Sequence, residues 1–342
     1  MGIPNARAKS RNGMRFFFSF SFAQRAAPLY IIFVNGTIFY RRSIIMAIYD
    51  FVDKANVLVE ALPYIQKFRN SLFVVKFGGS AMEDPELVRR TMCDIVMLEA
   101  IGIKPVIVHG GGKAISAELK ARGIATKFVF GLRYTDAATI EVVDDVLHNQ
   151  VNRNLLDLGN QSGGNCCGIS GKQVLKAIKT MATNPETGKQ EDIGFVGEVV
   201  GVNATPILDA INQGFIPVVT PLGVGVDGQV YNINADRAAC KIAEALHARK
   251  LVFMSDVPGV LSDCNDEKSV IPTIRTCDID DLIRQGVLSG GMLPKIASCV
   301  EALNAGINKV HLIDGRQTHS LLLEIFTSQG VGTQIVRTDS AM

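Results

Sequence analysis

At 342 residues, with Lys+Arg 35 against Asp+Glu 33 and a net charge of +2, the chain has no broad basic excess of the kind that tracks a nucleic-acid backbone. The length suffices for one large α/β domain or for two lobes sharing a continuous sheet. No membrane-crossing helix is evident: the longest apolar stretch near the N-terminus, Ala26 to Val34, falls well short of the roughly 20 residues a span requires.

Charge is uneven along the chain. Residues 1–45 carry Arg7, Lys9, Arg11, Arg15, Arg25, Arg41 and Arg42 and no acid, which leaves −5 on the remainder. An acidic body that handles phosphates has to concentrate positive charge at individual lysines. The basic leader reads as an organellar targeting peptide or as a start assigned too far upstream. Its modest serine content, and a helix pattern beginning directly after Met46-Ala47, favour Met46 as the functional start. Seven scattered cysteines, with no CxxC pair and no metal-ligand spacing, point to reduced core thiols in a reducing compartment rather than a disulfide framework or a zinc site.

Residues 47–69 place Phe51, Ala55, Leu58, Leu62, Ile65 and Phe68 at spacings of three and four, which predicts an amphipathic helix with a kink or break at Pro63. It either covers its own domain or docks on another subunit. Leu72 to Val75, short and continuously apolar, reads as a strand buried on both faces. It runs into Lys76, Phe77, Gly78, Gly79 and Ser80 before a helix from Pro85 to Ala100. Such a junction is either an ordinary strand–helix turn or an anion cradle, with glycine N–H groups and a helix N-terminus facing the ligand. A second strand, Lys104 to His109, leads into Gly110-Gly111-Gly112-Lys113 and a helix to Arg122. This alternation predicts an α/β fold with both glycine turns on the carboxyl edge of a parallel sheet, where ligands bind, and it favours a phosphate or carboxylate site.

Further on, Thr135 or Asp136 caps a helix from Ala137 to Gly159, with Arg133 ahead of it as a solvated loop residue or a carboxylate clamp. Residues 183–194 read as a hairpin or lid, and Val196–Val202 and Phe215–Thr220 as strands. Asn232, Asn234 and Asp236 precede a helix from Arg237 to His247 and are more polar side chains than one cap needs. A strand at Lys250 to Met254 ends in Ser255-Asp256-Val-Pro-Gly259. A helix over Asp278 to Gln285 then leads to Gly290-Gly291-Met292-Leu-Pro-Lys295 and a helix through Asn304, before a last strand at Lys309 to Ile313 and a segment from Leu321 to Thr327.

Two lysines from distant segments, each beside paired glycines, suit a transferring phosphoryl group, which is stabilised by positioning and by positive charge on its oxygens. Neither the P-loop motif nor a protein-kinase motif set is present, and no Ser/His/Asp or Cys/His constellation stands out. His109 offers itself as a base, although a histidine at a strand end is more often structural. A carboxylate acceptor, with a pKa of about 4.3, is already ionised and needs no base. A dinucleotide-dependent oxidoreductase is disfavoured because both glycine turns miss G-x-G-x-x-G. A non-catalytic sensor is disfavoured by the two lysines.

From Leu72 to Val336 the motifs Val-Lys76-Phe-Gly-Gly, Val-His-Gly-Gly-Gly112, Gly-Leu-Arg133-Tyr-Thr, Asn232-Ile-Asn-Ala-Asp236, Ser255-Asp-Val-Pro-Gly-Val and Gly-Gly-Met-Leu-Pro-Lys295 follow in order. Together they resemble the acetylglutamate kinases of the amino acid kinase family. The resemblance implies a three-layer αβα sandwich with an open, mostly parallel sheet, and ATP-dependent phosphorylation of the side-chain carboxylate of N-acetyl-L-glutamate in arginine biosynthesis. It implies that Lys76 and Lys295 stabilise the phosphoryl group and that Asp236 orients them. Gly111, Gly112, Arg133 and Asn232 would bind the acyl substrate; Gly79, Ser255, Asp256, Gly259, Gly290 and Gly291 would face ATP. Mg2+ would be held mainly through phosphates and water, with no protein metal ligand.

The implied organisation is a leader over 1–45, an oligomerisation helix over 46–70, an acyl-substrate lobe over 71–247 and an ATP lobe over 248–338. Family members with such a helix resemble the arginine-inhibited type, a hexamer built as a trimer of dimers. The segment from Leu321 to Thr333 is similar to its arginine-binding region, with Glu324 and Gly330 as effector residues; Glu324 is otherwise a solvated helix residue. Photosynthetic relatives bind the nitrogen-signalling protein PII, which makes PII a candidate partner. No nucleic acid or membrane is implied, and the compartment is the cytoplasm, or the plastid stroma if residues 1–45 are a transit peptide.

Overall fold

The computed structural model describes residues 31–34, 37–40, 42–184, 187–328 and 330–338, with side chains from residue 52 onward. Most of the expected leader lies outside the described residues; Ile31–Val34 and Thr37–Tyr40 within it pair as an antiparallel hairpin. The chain divides into two compact units, 1–63 and 64–342. Helix α1 runs from Arg42 to Phe68 with Pro63 inside it, so of the kink or break expected at the proline, the break does not occur. A proline removes one backbone donor, and here the last turn is held independently. Phe68 is buried and meets Phe73 edge to face at 5.4 Å.

The larger unit is built on strands β1 (Leu72–Phe77), β2 (Lys104–His109), β3 (Cys166–Ile169), β4 (Ile216–Val219), β5 (Lys250–Ser255), β6 (Thr273–Arg275), β7 (Lys309–Asp314) and β8 (Thr333–Val336). They form one sheet in the order β6-β8-β7-β5-β1-β2-β4-β3. The six strands from β7 to β3 are parallel, and β8 runs antiparallel to β7. Alternate residues of β1 feed opposite faces, as strand geometry requires. Val74 joins a core under α6 (Ala235–Ala245) and α7 (Met292–Asn304). Phe73, Val75 and Phe77 join a second core under α2 (Pro85–Ala100) and α5 (Arg153–Gln161). The sheet therefore lies between two helical layers, as expected.

A closed four-stranded barrel, formed by Leu175–Thr183, Gln190–Val202, Leu222–Val224 and Val230–Ile233, stands beside the sheet. The hairpin expected at 183–194 is the crest of its first two strands. A further expectation needs correction. The helix expected over 137–159 is three stacked pieces: α4 (Ala137–Asp145), a π-helical turn over Val146–Asn152, and α5. Asp136 caps it, accepting from Thr139 N at 2.8 Å.

From β1 the chain moves to β2 on one side and later returns to β5 on the other, so the sheet has its topological switch point at β1. The crevice at the carboxyl ends there is where such sheets bind ligands. The described residues contain no helix long and apolar enough to cross a membrane.

Packing between the layers leaves little slack. A Cβ on Gly159 of α5 would lie 2.4 Å from Cys166 Sγ and 2.9 Å from Met92 Cε. Gly159→Ala should cost about 1–3 kcal/mol by overpacking, read as a lower urea midpoint; an unchanged midpoint would contradict this account of the α5–sheet contact.

Candidate active site

Lys76 leaves the end of β1 and pairs with Asp236 Oδ1 at 2.9 Å, both side chains largely shielded from solvent. Asp236 is free to do so because Asn234 takes the capping role on α6, accepting from Asp236 N at 2.8 Å and Arg237 N at 3.2 Å. The surplus of polar groups in that stretch is thus resolved into one cap and one lysine partner. Lys295 stands in the first turn of α7. That helix is fixed to α6 by Arg237–Glu301, by Lys241–Glu301 at 2.9 Å and by the Cys240 thiol bonded to Ser298 O at 3.3 Å. The buried Cys299 thiol feels Asp236 and Lys295 together; burial, the largest influence, pushes it well above the ordinary range.

The turn after β1 is fastened to the end of β5. Asp256 Oδ1 accepts from Ser80 N at 2.6 Å and from Ser80 Oγ at 2.9 Å. Gly79 has φ +77°, and a Cβ there would stand 2.1 Å from that same oxygen, so only glycine fits without displacing the carboxylate. Next to Asp256, Ser255 is buried with its hydroxyl unpartnered, a polar atom available to a ligand. Gly290 and Gly291 precede α7 with open space where a Cβ would be. Gly259 instead packs against Thr333, whose hydroxyl would meet a Cβ at 2.6 Å.

The turn after β2 lies beside it. Gly110 N donates to Phe77 O at 2.7 Å, and Gly111 and Gly112 open helix α3 (Gly112–Ala121). Arg133 is buried rather than solvated: its Nη2 donates to Gly112 O at 2.7 Å and Ser116 Oγ at 2.8 Å, and its guanidinium lies 4.9 Å from the centre of the Phe128 ring. Its Nη1 is buried without a partner. A guanidinium nitrogen with a free donor beside a helix N-terminus has the chemistry to receive a carboxylate. Asn232 Nδ2 donates to Thr135 Oγ1 at 3.4 Å.

His109 is not the base it resembled. Its ring is fully buried, with Nδ1 at 2.8 Å from Gly110 O and Nε2 at 3.1 Å from Asn152 Nδ2, and burial lowers its pKa to about 4.

Glu324 and Gly330 are brought together, but elsewhere. Glu324, on α8 (Ser320–Phe326), is buried and not the solvated residue of the alternative reading. Burial pushes its carboxyl up, but bonds from His311, at 2.6 Å, and from Val331 N and Gly332 N outweigh this and hold it below the usual range. His311 in turn meets Lys250 Nζ at 3.1 Å. Burial lowers Lys250 to about 8 and His311 to about 4. Neither residue stood out in the sequence, each reading as an ordinary strand position. Lys250 begins β5 and Ser255 ends it, so this cluster lies about 16 Å along the strand from Ser255. Among the described residues no group of three or more His, Cys, Asp or Glu side chains is placed to hold a metal.

A three-layer sheet with paired glycine turns and a lysine–aspartate pair at its switch point defines a phosphotransferase-type site. The profile of the Amino acid kinase family matches residues 71–314, and the chain belongs to that family. Within the family its relatives are acetylglutamate kinases. That of Thermoanaerobacter sp. (strain X514) is 47% identical over 288 residues, covering 84% of this chain and 94% of the relative. That of Heliobacterium modesticaldum is 44% identical over 291 residues, covering 84% and 99%. Among solved structures, N-acetylglutamate synthase from Neisseria gonorrhoeae, complexed with coenzyme A and N-acetyl-glutamate, superposes with a TM-score of 0.71 at 23% identity, over 84% of this chain and 64% of that one. Carbamate kinase from Giardia lamblia bound to AMP-PNP gives 0.59 at 13% identity, over 78% and 99%. These likenesses are of fold.

The buried neutral His109 has a measurable consequence. Its folded pKa is about 4 against an ordinary 6.5, so the unfolded chain binds the proton first and stability falls as pH drops from 6.5 towards 4. His109→Gln should flatten the acid limb of urea midpoints between pH 7 and 5 by up to about 1.4 kcal/mol per pH unit. An identical pH slope in variant and parent would contradict this.

Proposed function

We propose that the protein transfers the γ-phosphoryl group of ATP to the side-chain carboxylate of N-acetyl-L-glutamate, giving N-acetyl-L-glutamyl 5-phosphate for arginine biosynthesis. The observation that carries it is the Lys76–Asp236 pair at the sheet's switch point, beside the unsatisfied Arg133 guanidinium. It is supported by relatives of that name that are 44% and 47% identical over nearly their whole length.

The acyl carboxylate is ionised at neutral pH, so attack on the γ-phosphorus needs no base, in keeping with a buried, neutral His109. Lys76 and Lys295 bear on the phosphoryl oxygens as charge moves onto them, while Asp236 holds Lys76 in place. Arg133 Nη1, with Asn232, holds the non-reacting end of the substrate over Gly111 and Gly112. Ser255, Asp256, Gly79 and the Gly290-Gly291 turn face ATP; Asp256 acts by fixing the Gly79–Ser80 turn. Asp236 and Asp256 are each already engaged, which fits Mg2+ held through phosphates and water rather than by protein carboxylates. When bound, the ion supplies further positive charge on the same oxygens. Residues 71–247 then serve the acyl substrate and 248–338 the nucleotide.

The Glu324–Gly330 corner suits an arginine effector, whose guanidinium would exchange with the His311 contact on Glu324. Exposed Val57, Leu58, Val59 and Leu62 on α1 support its use in a hexamer, as oligomerisation requires. PII remains a candidate partner. The seven cysteines are free, which suits the cytoplasm or, with a transit peptide, the plastid stroma.

Acyl phosphate trapped as the hydroxamate, with N-acetylglutamate, glutamate and aspartate compared with and without arginine, tests the reading. Turnover with N-acetylglutamate alone, depressed by arginine, is expected. Turnover indifferent to arginine removes the effector site and keeps the kinase; no turnover with any acceptor overturns the kinase. Arg133→Lys, which loses the planar fork, should raise KM for the acyl acceptor at least tenfold and leave KM for ATP within about twofold.

A further inference from the structure

The π-helical turn Val146–Asn152 is unexplained by the phosphoryl site, yet two of its residues reach the glycine turn after β2. A Cβ on Gly111 would lie 2.6 Å from Leu147 Cδ2, so Leu147 is seated directly beneath that residue. Asn152, buried, donates Nδ2 to His109 Nε2 at 3.1 Å and to Val218 O at 2.9 Å. Leu147 and Asn152 are five apart. In an α-helix, at 3.6 residues per turn, they would point about 140° apart. An i→i+5 register brings residues five apart onto nearly one face, and such turns recur at functional sites.

The bonds define a directed relay. Gly110 O is only an acceptor, so His109 Nδ1, 2.8 Å away, carries the proton and donates to it. Nε2 is then the acceptor and takes its bond from Asn152. Both neighbours of Asn152 Nδ2 are acceptors, so the amide has one satisfied orientation; reversed, Oδ1 would face the lone pairs of Val218 O. Fixing Gly110 O fixes the peptide plane between Gly110 and Gly111. In a trans peptide the Gly111 N–H then points away from His109, on the side where the first N–H groups of α3 have no intrahelical partners.

We infer that Asn152 and His109 are positioning residues for the acyl-substrate turn: the π turn aims the Gly111 peptide through the Asn152–His109–Gly110 relay while Leu147 supports it from below. The inference deepens the acyl-phosphate reading and rests on it. Neither residue touches substrate, so removing the relay changes acceptor binding and leaves the nucleotide side, held by Asp256 and Ser80, as it was.

The test is Asn152→Ser in the full chain, with steady-state kinetics and 15N NMR of the histidine rings. Expected are a single Nδ1–H tautomer for His109 in the parent and its loss in N152S. KM for N-acetylglutamate should rise at least tenfold, with KM for ATP within twofold. A changed tautomer with an acceptor KM within twofold of the parent would make the network merely structural and overturn the inference, as would an Nε2–H tautomer in the parent. Should N152S not fold, the parent decides: a His109 Nδ1 resonance that moves on adding N-acetylglutamate but not ATP supports the relay, and one that does not move with N-acetylglutamate overturns it. Failure of the acyl-phosphate reading shows separately, as absence of turnover in the parent.

Discussion

The ion pair between Lys76 and Asp236 is the constraint on which the rest of the molecule depends. A lysine delivered by the central strand of a buried sheet needs a carboxylate within reach, or its charge is stranded in poorly solvated surroundings. That carboxylate comes from the first turn of α6, on a segment that reaches the sheet only after the chain has built one half of it and crossed back. Asn234 makes the arrangement compatible with a stable helix by capping α6 itself and leaving Asp236 to the lysine. The Arg237 and Lys241 bridges to Glu301 then fix α7, and with it Lys295, to the same helix.

Around this pair the site divides by charge and by degree of satisfaction. At the end of β1 Asp236 Oδ1 pairs ionically with Lys76 without a hydrogen bond, and Asp256 holds the Ser80 turn. Beside the turn after β2 a buried cation is left unsatisfied at one nitrogen, Arg133 Nη1, within a frame otherwise closed by Gly112 O and Ser116 Oγ. A buried cation left incomplete at one nitrogen has the chemistry to take an incoming anion. The Lys250–His311–Glu324 cluster follows the opposite logic: its members satisfy one another at the other end of β5.

Much of this was legible in the sequence where local signals and tertiary demands agree. Helix 85–100 begins on a proline after Asp84 and strand 104–109 is apolar from Pro105 to Val108; both lie where the pattern put them. The glycine turns, the two lysines and Asp236 were marked by residue types that ordinary turns do not need. Four features were not legible, each for a physical reason. The π turn is a register change that apolar spacing barely distinguishes from continuous α-helix. The helix through Pro63 survives because Phe68 is anchored by Phe73, a contact that no local rule contains. The Ser80–Asp256 bond and the Glu324–His311 pair join residues whose proximity is created by strand order alone.

The central claim is that Asp236 serves the phosphoryl-transfer step by holding Lys76, over and above the stability the pair gives the fold, and does not serve ground-state binding. Steady-state kinetics of Asp236→Asn, with both substrates varied and a urea denaturation in parallel, test it most directly. The account predicts that kcat falls by at least a hundredfold, about 2.7 kcal/mol in the barrier, with both KM values within about threefold, in a variant that stays folded at a lowered denaturation midpoint because Lys76 is left unpaired. A kcat within tenfold of the parent, or a loss confined to KM or to stability, would contradict it.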